Sequence, residues 1–284
     1  MSDVLVLGAS GNVGAALTRR LAAGGTRVRA FYDPATPQRT TFPAGVQELH
    51  GRFDDVSALA AATAGADAMF LLTPPSPAQV GWQRTAIDAA VAAGVARVVK
   101  LSAFESGADS PLHMGRWHYD GEVALRASGL EWSILRPQYF MQNLVPAMRA
   151  ALDAGAWTGA ARGDTRLGVV DVEDIAAVAA VALTRREHRD GVLVPTGPEA
   201  LSFDDMAAEL SRAAGRTIPY RQRGADEVAA EFSARGWPAW HVEDYLKIHG
   251  EAASALVTGD VEAMTGVAPT RFAAFIGRHL ALTV

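Results

Sequence analysis

Two rhythms of apolar residues alternate through the first half of the chain. Short continuous runs predict buried strands at residues 4–7, 28–31, 46–50, 68–72, 98–101 and 132–135. Between them, apolar positions recur at three- and four-residue intervals, which predicts helices at 13–23, 56–64, 82–93 and 114–127. Glycines at 24–25, 65, 94 and 129 stand where those helices should stop. Strand and helix in strict alternation imply parallel strands joined by crossover helices. Because the strand runs are continuously apolar, helices should cover both faces of the sheet.

Past Arg136-Pro137 the rhythm loosens. Helical spacing returns at 141–154, 172–183, 203–214 and about 239–249, with a short strand at 217–221. The expected architecture is α/β: a Rossmann-type doubly wound parallel sheet over residues 1–137, with a smaller C-terminal substrate lobe over 138–284. The lobe interleaves with the sheet domain as one unit, and no repeat or low-complexity linker separates them.

At the first strand-to-helix junction stands Gly8-Ala9-Ser10-Gly11-Asn12-Val13-Gly14. The first glycine lets the chain reverse, the second keeps side chains away from a pyrophosphate, and the third lets the helix lie close to the sheet. The amides of the helix N-terminus then face the diphosphate with the positive end of the helix dipole. A strand before it and a helix after it make this a dinucleotide-binding turn.

Composition narrows the chemistry. The 284 residues carry a formal net charge of −5, which offers no basic field for nucleic acid. With no cysteine, thiolate nucleophiles, thiolate metal sites and disulfides are excluded. His113 and His118 are five apart and His241 and His249 eight apart, so neither pair has helical metal-ligand spacing, and no metal is expected. No Gly-x-Ser-x-Gly elbow is present. The chain opens on its first strand and holds no long apolar run, so a cytoplasmic protein without a membrane partner is expected.

An ordered series of segments carries a family resemblance: the glycine turn, Leu71-Leu72-Thr73-Pro74-Pro75, Val99-Lys100-Leu101-Ser102-Ala103, and Ser128 to Pro137 running into Tyr139-Phe140-Met141-Gln142-Asn143. Val170 to Ala176 and Thr196-Gly197-Pro198-Glu199 complete it. Together they resemble the NmrA-like branch of the atypical short-chain dehydrogenase/reductase superfamily. The resemblance implies a Rossmann domain binding NAD(P)H and a substrate cleft at the carboxyl edge of the sheet. Its members are reductases or non-catalytic redox sensors.

Four positions, at three places in the chain, depart from the family patterns. Met114 and His118 stand where extended members have tyrosine and lysine, with Glu122 at the glutamate position. Benzylic-ether and isoflavone reductases use a lone lysine where His118 stands, so His118 is the catalytic candidate as a proton donor. The alternative is a histidine that orients the cofactor ribose or pairs with Glu122 one turn on. Asp33 replaces a frequent arginine at the end of the second strand. Its carboxylate suits the ribose hydroxyls of NAD(H) and repels a 2′-phosphate, unless Arg39 folds over it; capping a turn before Pro34 is the alternative role. Arg52 occupies a position where an aspartate commonly holds the adenine amine, and it cannot accept that bond.

Cofactor contacts are therefore expected from Gly8, Ser10, Gly11, Asn12, Val13, Asp33, Phe53, Thr73, Pro74, Ser102 and Tyr139. The substrate pocket is expected from Phe104, Trp117, Phe140, Trp157 and Trp240, whose rings suit a small apolar or aromatic substrate. The expected function is NAD(P)H-dependent reduction of a C=C, C=N or C=O group. A cofactor-binding sensor without turnover, or a non-redox cyclase or isomerase, are the alternatives.

Overall fold

The computed structural model describes residues 2–36, 41–185 and 191–280. In chain order the first elements are β1 (Asp3–Leu7), α1 (Asn12–Ala23), β2 (Arg27–Tyr32), β3 (Gln47–His50), α2 (Val56–Thr63), β4 (Ala68–Leu71), α3 (Gln79–Ala92), β5 (Arg97–Leu101), α4 (His113–Arg126) and β6 (Glu131–Leu135). There follow β7 (Tyr139–Phe140), a 3-10 turn (Met141–Leu144), α5 (Val145–Ala154), β8 (Trp157–Gly159), β9 (Arg166–Val170), α6 (Val172–Thr184), β10 (Gly191–Leu193) and β11 (Ala200–Ser202). The last are α7 (Phe203–Ala214), β12 (Tyr220–Gln222), α8 (Ala225–Ala234), α9 (Ala239–Ile248), α10 (Asp260–Thr265) and α11 (Phe272–His279).

Seven strands form one parallel sheet in the order β10-β6-β5-β4-β1-β2-β3. The order reverses beside β1, where the chain departs to β2 on one side and later returns to β4 on the other. Such a switch point opens a crevice at the carboxyl ends of the strands. All five residues of β1 are buried, as the continuous apolar run requires. Leu5 and Leu7 join Phe31, Leu59, Met69, Leu71, Ile87 and Val98 in one core, while α1 packs against α6.

The chain divides into two compact units, and a single cut at residue 137 does not describe them. Unit one comprises Met1–Asp109, Met114–Pro137 and Val172–Val194; unit two comprises Ser110–His113, Gln138–Asp171 and Pro195–Val284. The reason is topological. After β9 the chain supplies α6, the helix that covers α1, and β10, which pairs in parallel with β6.

Unit two holds a three-stranded sheet, β11-β9-β7, and a parallel pair, β12-β8. Its core gathers Met141, Met148, Trp157, Leu167, Phe203, Met206, Leu210, Phe272 and Phe275. Helix α7 starts on a capping box in which Ser202 and Asp205 satisfy each other's backbone amides. The helix expected over 141–154 is broken: a 3-10 turn precedes α5, whose second residue is Pro146. A proline ring is tolerated in a first turn, but in a continuous helix it would strike the carbonyl of Gln142. The strand expected at 217–221 is shifted to Tyr220–Gln222.

No helix among the described residues is long and apolar enough to cross a membrane.

Candidate active site and cofactor cradle

The glycine turn lies at the switch point, directly after β1. Gly8 has φ +72°, and a Cβ there would sit 2.7 Å from the Leu72 carbonyl oxygen, so the turn is pressed against the end of β4. At Gly14 a Cβ would lie 2.2 Å from the Gly8 carbonyl oxygen, and only glycine lets α1 begin this close to the turn. Gly11 differs from both. Its added Cβ would meet only the Gly8 oxygen at 3.4 Å, an ordinary contact, which leaves space beyond it for a ligand.

Gly11 is also the N-cap of α1 and brings no side chain to the helix end. The amides of Val13 and Gly14, in the first turn, have no carbonyl within the helix to bond. The cradle therefore fits a diphosphate, which the backbone from Gly8 to Gly14 would hold and whose charge the helix dipole would favour. Ser10 is buried in the turn.

Beyond β2, Asp33 accepts the Ala35 amide at 2.9 Å through one carboxylate oxygen, the turn role that its position before Pro34 allowed. Arg52 forms a two-pronged pair with Asp54, both bonds 2.9 Å, and its guanidinium also feels the charge of Asp33. Carboxylate and guanidinium thus share this end of the site. Arg39 lies outside the described residues. Phe53 is a core residue, edge-on to Phe31 with centroids 5.9 Å apart, so only its backbone is left for a ligand.

A polar cluster fills unit one between β5, α3 and α4. Lys100 is fully buried on β5, and its Nζ lies 3.1 Å from His118 Nδ1 and 3.3 Å from the Leu101 carbonyl oxygen. The Gln79 amide nitrogen lies 3.2 Å from each ring nitrogen of His118. Gln83 donates to Thr73 Oγ1 at 3.1 Å. The side-chain carbonyl oxygens of Gln79 and Gln83 are buried with no partner. Gly121 on α4 makes the room: a Cβ there would meet Gln83 Oε1 at 1.7 Å and Lys100 Cε at 3.1 Å.

Burial drives the Lys100 ammonium down to about 7; Glu122 opposes the shift, while Arg136 and Arg126 reinforce it. His118, partly buried, is held well below the ordinary imidazole range by desolvation and then by Lys100. A neutral His118 that accepts from Lys100 at Nδ1 carries its proton on Nε2.

Glu122, one turn along α4, does not pair with His118. It accepts from Ser102 Oγ at 2.5 Å, from Arg136 at 2.9 and 2.5 Å, and from Arg126 at 3.0 Å. Burial alone would raise its carboxyl, but the hydrogen bonds from Arg136 and Ser102 outweigh this and hold it below the usual range. The hydroxyl of Ser102 is thereby committed to Glu122.

The expected pocket residues separate. Phe104 and Trp117 belong to unit one and are partly buried; Phe140, Trp157, Trp240 and the cofactor candidate Tyr139 belong to unit two. Trp157 is a packing residue and not a pocket wall, because at 2% exposure its ring is enclosed in the core edge-on to Phe203. Trp240 stacks on His241, with centroids 5.0 Å apart. Burial raises the Tyr139 phenol, whose ring meets His249 edge-on.

Lys100 was the residue that sequence reasoning passed over. The signal was present: a charge inside the apolar run of a central strand must be buried when both sheet faces are covered.

Comparison with known proteins identifies the family and the fold. The model of the NmrA-like family matches residues 1–266. An NAD(P)H azoreductase of Xenophilus azovorans is 31% identical over 281 residues, 98% of each chain. A (4-alkanoyl-5-oxo-2,5-dihydrofuran-3-yl)methyl phosphate reductase of Streptomyces griseus is 35% identical over 269 residues, 93% of each chain. The NADPH complex of a quinone oxidoreductase from Escherichia coli superposes with a TM-score of 0.84 at 24% identity, covering 97% of this chain and 99% of the other, a likeness of fold. The chain belongs to the NmrA-like family and has the NAD(P)-binding Rossmann fold of the redox enzymes it resembles.

Proposed function

We propose that the protein is an NAD(P)H-dependent reductase of small apolar or aromatic molecules with a C=C, C=N or C=O acceptor, and that His118 donates the proton. The observation that carries this reading is the His118 imidazole, its Nδ1 3.1 Å from Lys100 Nζ, on the helix that follows β5 in a sheet whose switch point holds a turn fit for a diphosphate. When bound, the nicotinamide supplies the hydride. The residues of the chain do the rest. The Gly8–Gly14 backbone binds the diphosphate, Lys100 fixes the ring of His118 through Nδ1, and Nε2 delivers the proton that completes the reduction. Reductase relatives over nearly the whole chain support reduction as the class of reaction.

Asp33 favours NAD(H), since its carboxylate would oppose a 2′-phosphate. Bare repulsion across about 4 Å is worth roughly 4 kcal/mol at an effective dielectric of 20. Arg52 offsets part of it, so the expected preference is about tenfold for NADH.

Reduced-nicotinamide absorbance, followed with quinones, enones and imines, tests the reading. Turnover that falls about 10²-fold in His118→Ala is the expected result. Tight cofactor binding without oxidation across the panel would replace it with the sensor reading. Titration of NADH against NADPH tests Asp33, and equal affinities would remove its role.

A further inference from the structure

A buried charge with little compensation sits directly behind the proposed proton donor. Lys100 is fully buried, yet among the described residues none of its contacts is an ion pair: its Nζ reaches a backbone carbonyl and a histidine. The one carboxylate in its electrostatic surroundings, Glu122, is already bonded to two arginines and a serine. A lysine kept only for structure is expected to pair with a carboxylate or to reach solvent. This one does neither, and Gly121 clears the space in which its stem lies.

We propose that Lys100 is the proton supply of His118, a positioning and relay residue that acts on substrate only through the imidazole. The proposal rests on the reading of His118 as donor. The step balances without another reactant. As the Nε2–H bond breaks toward the substrate, an Nζ–H bond of Lys100 breaks and an Nδ1–H bond forms. His118 stays neutral in its other tautomer and Lys100 becomes a neutral amine; the resting state returns when Nε2 takes a proton from solvent and the Nδ1 proton passes back to Nζ. An ammonium that titrates at about 7 gives up a proton readily at neutral pH, which one at the ordinary lysine value would not. The groups that bear on this titration are His118, Glu122 and Arg126 on α4 and Arg136 beyond β6; Gln79 and Gln83 on α3 are uncharged.

The chain has only two lysines, Lys100 and Lys247, so lysine labelled with nitrogen-15 gives two side-chain signals that Lys247→Arg assigns. In the unliganded protein the Lys100 amine should titrate near 7, and the ring nitrogens of His118, assigned with His118→Gln, should move at the same midpoint. That inflection should vanish in Lys100→Met. With the best acceptor of the panel, turnover should fall above pH 7 in the unaltered protein. Lys100→Met should cost about 10²-fold at neutral pH and flatten the profile, and adding it to His118→Gln should cost nothing more. A His118 ring that ignores the Lys100 titration, or a Lys100→Met profile that keeps its shape and rate, overturns the relay while leaving the reductase reading intact. Absence of turnover in the unaltered protein overturns both.

Discussion

Two buried charge sites adjoin successive turns of α4, Glu122 on the helix itself and Lys100 on β5 against His118, and they are built on opposite plans. Around Glu122 every valence is met: two guanidiniums and a hydroxyl converge on one carboxylate. Around Lys100 the ammonium faces a neutral ring and a peptide carbonyl, and two glutamine oxygens nearby bond to nothing. The first arrangement ties α4 to the loop after β6 and holds its charge firmly. The second holds charge weakly, so a proton can leave. The same helix thus carries a clamp and borders a labile site on β5, and the number of compensating partners decides which is which.

The largest effect that separates them should come from Glu122→Ala. Removing one member of a buried ion cluster leaves the others uncompensated, and a loss of about 3 to 5 kcal/mol in urea unfolding at pH 7 is expected. A loss under about 1 kcal/mol would break the contrast. Lys100→Met should act with the opposite sign. It removes a poorly compensated charge and substitutes an apolar chain of similar length, so a gain of about 1 to 3 kcal/mol at pH 6 is expected.

The sharpest test concerns only the pH dependence. Lys100 has a lowered value in the folded state, so above about 7 the unfolded chain binds the extra proton. Its contribution therefore makes stability rise with pH from about 7 to the ordinary lysine value of 10.5, and Lys100→Met should lose that rise. Glu122 has a lowered value too, but as an acid: its contribution is complete above 4.5 and fades as pH falls through its folded value. Denaturation midpoints measured across pH in the two variants should each lose one limb. Loss of the same limb in both would show a single coupled cluster.

Much of unit one was legible in the sequence because its signals are local. The alternation of runs and helical spacing yields β1 through β6, and the glycine spacing gives the turn that Gly8 and Gly14 fill to contact distance. The pairing of Lys100 with His118 was not legible, since it joins residues eighteen apart across a strand and a helix. Nor was the separation of the aromatic candidates. Trp157 taken alone suits packing more than contact, and only the pairing of β8 with β12 shows the space around it closed. In unit two, strands of two to five residues leave too short a pattern for period two to register, which is why β8, β9 and β11 were missed.

The late return of the chain to the seven-stranded sheet sets the order in which the molecule can be made. While synthesis has passed only Pro137, α1 has no α6 to cover it and β6 exposes the edge that β10 will later occupy. An emerging nascent chain must therefore carry an open strand edge and an uncovered apolar helix until Val194 clears the ribosome, a window in which it is a natural client for chaperones.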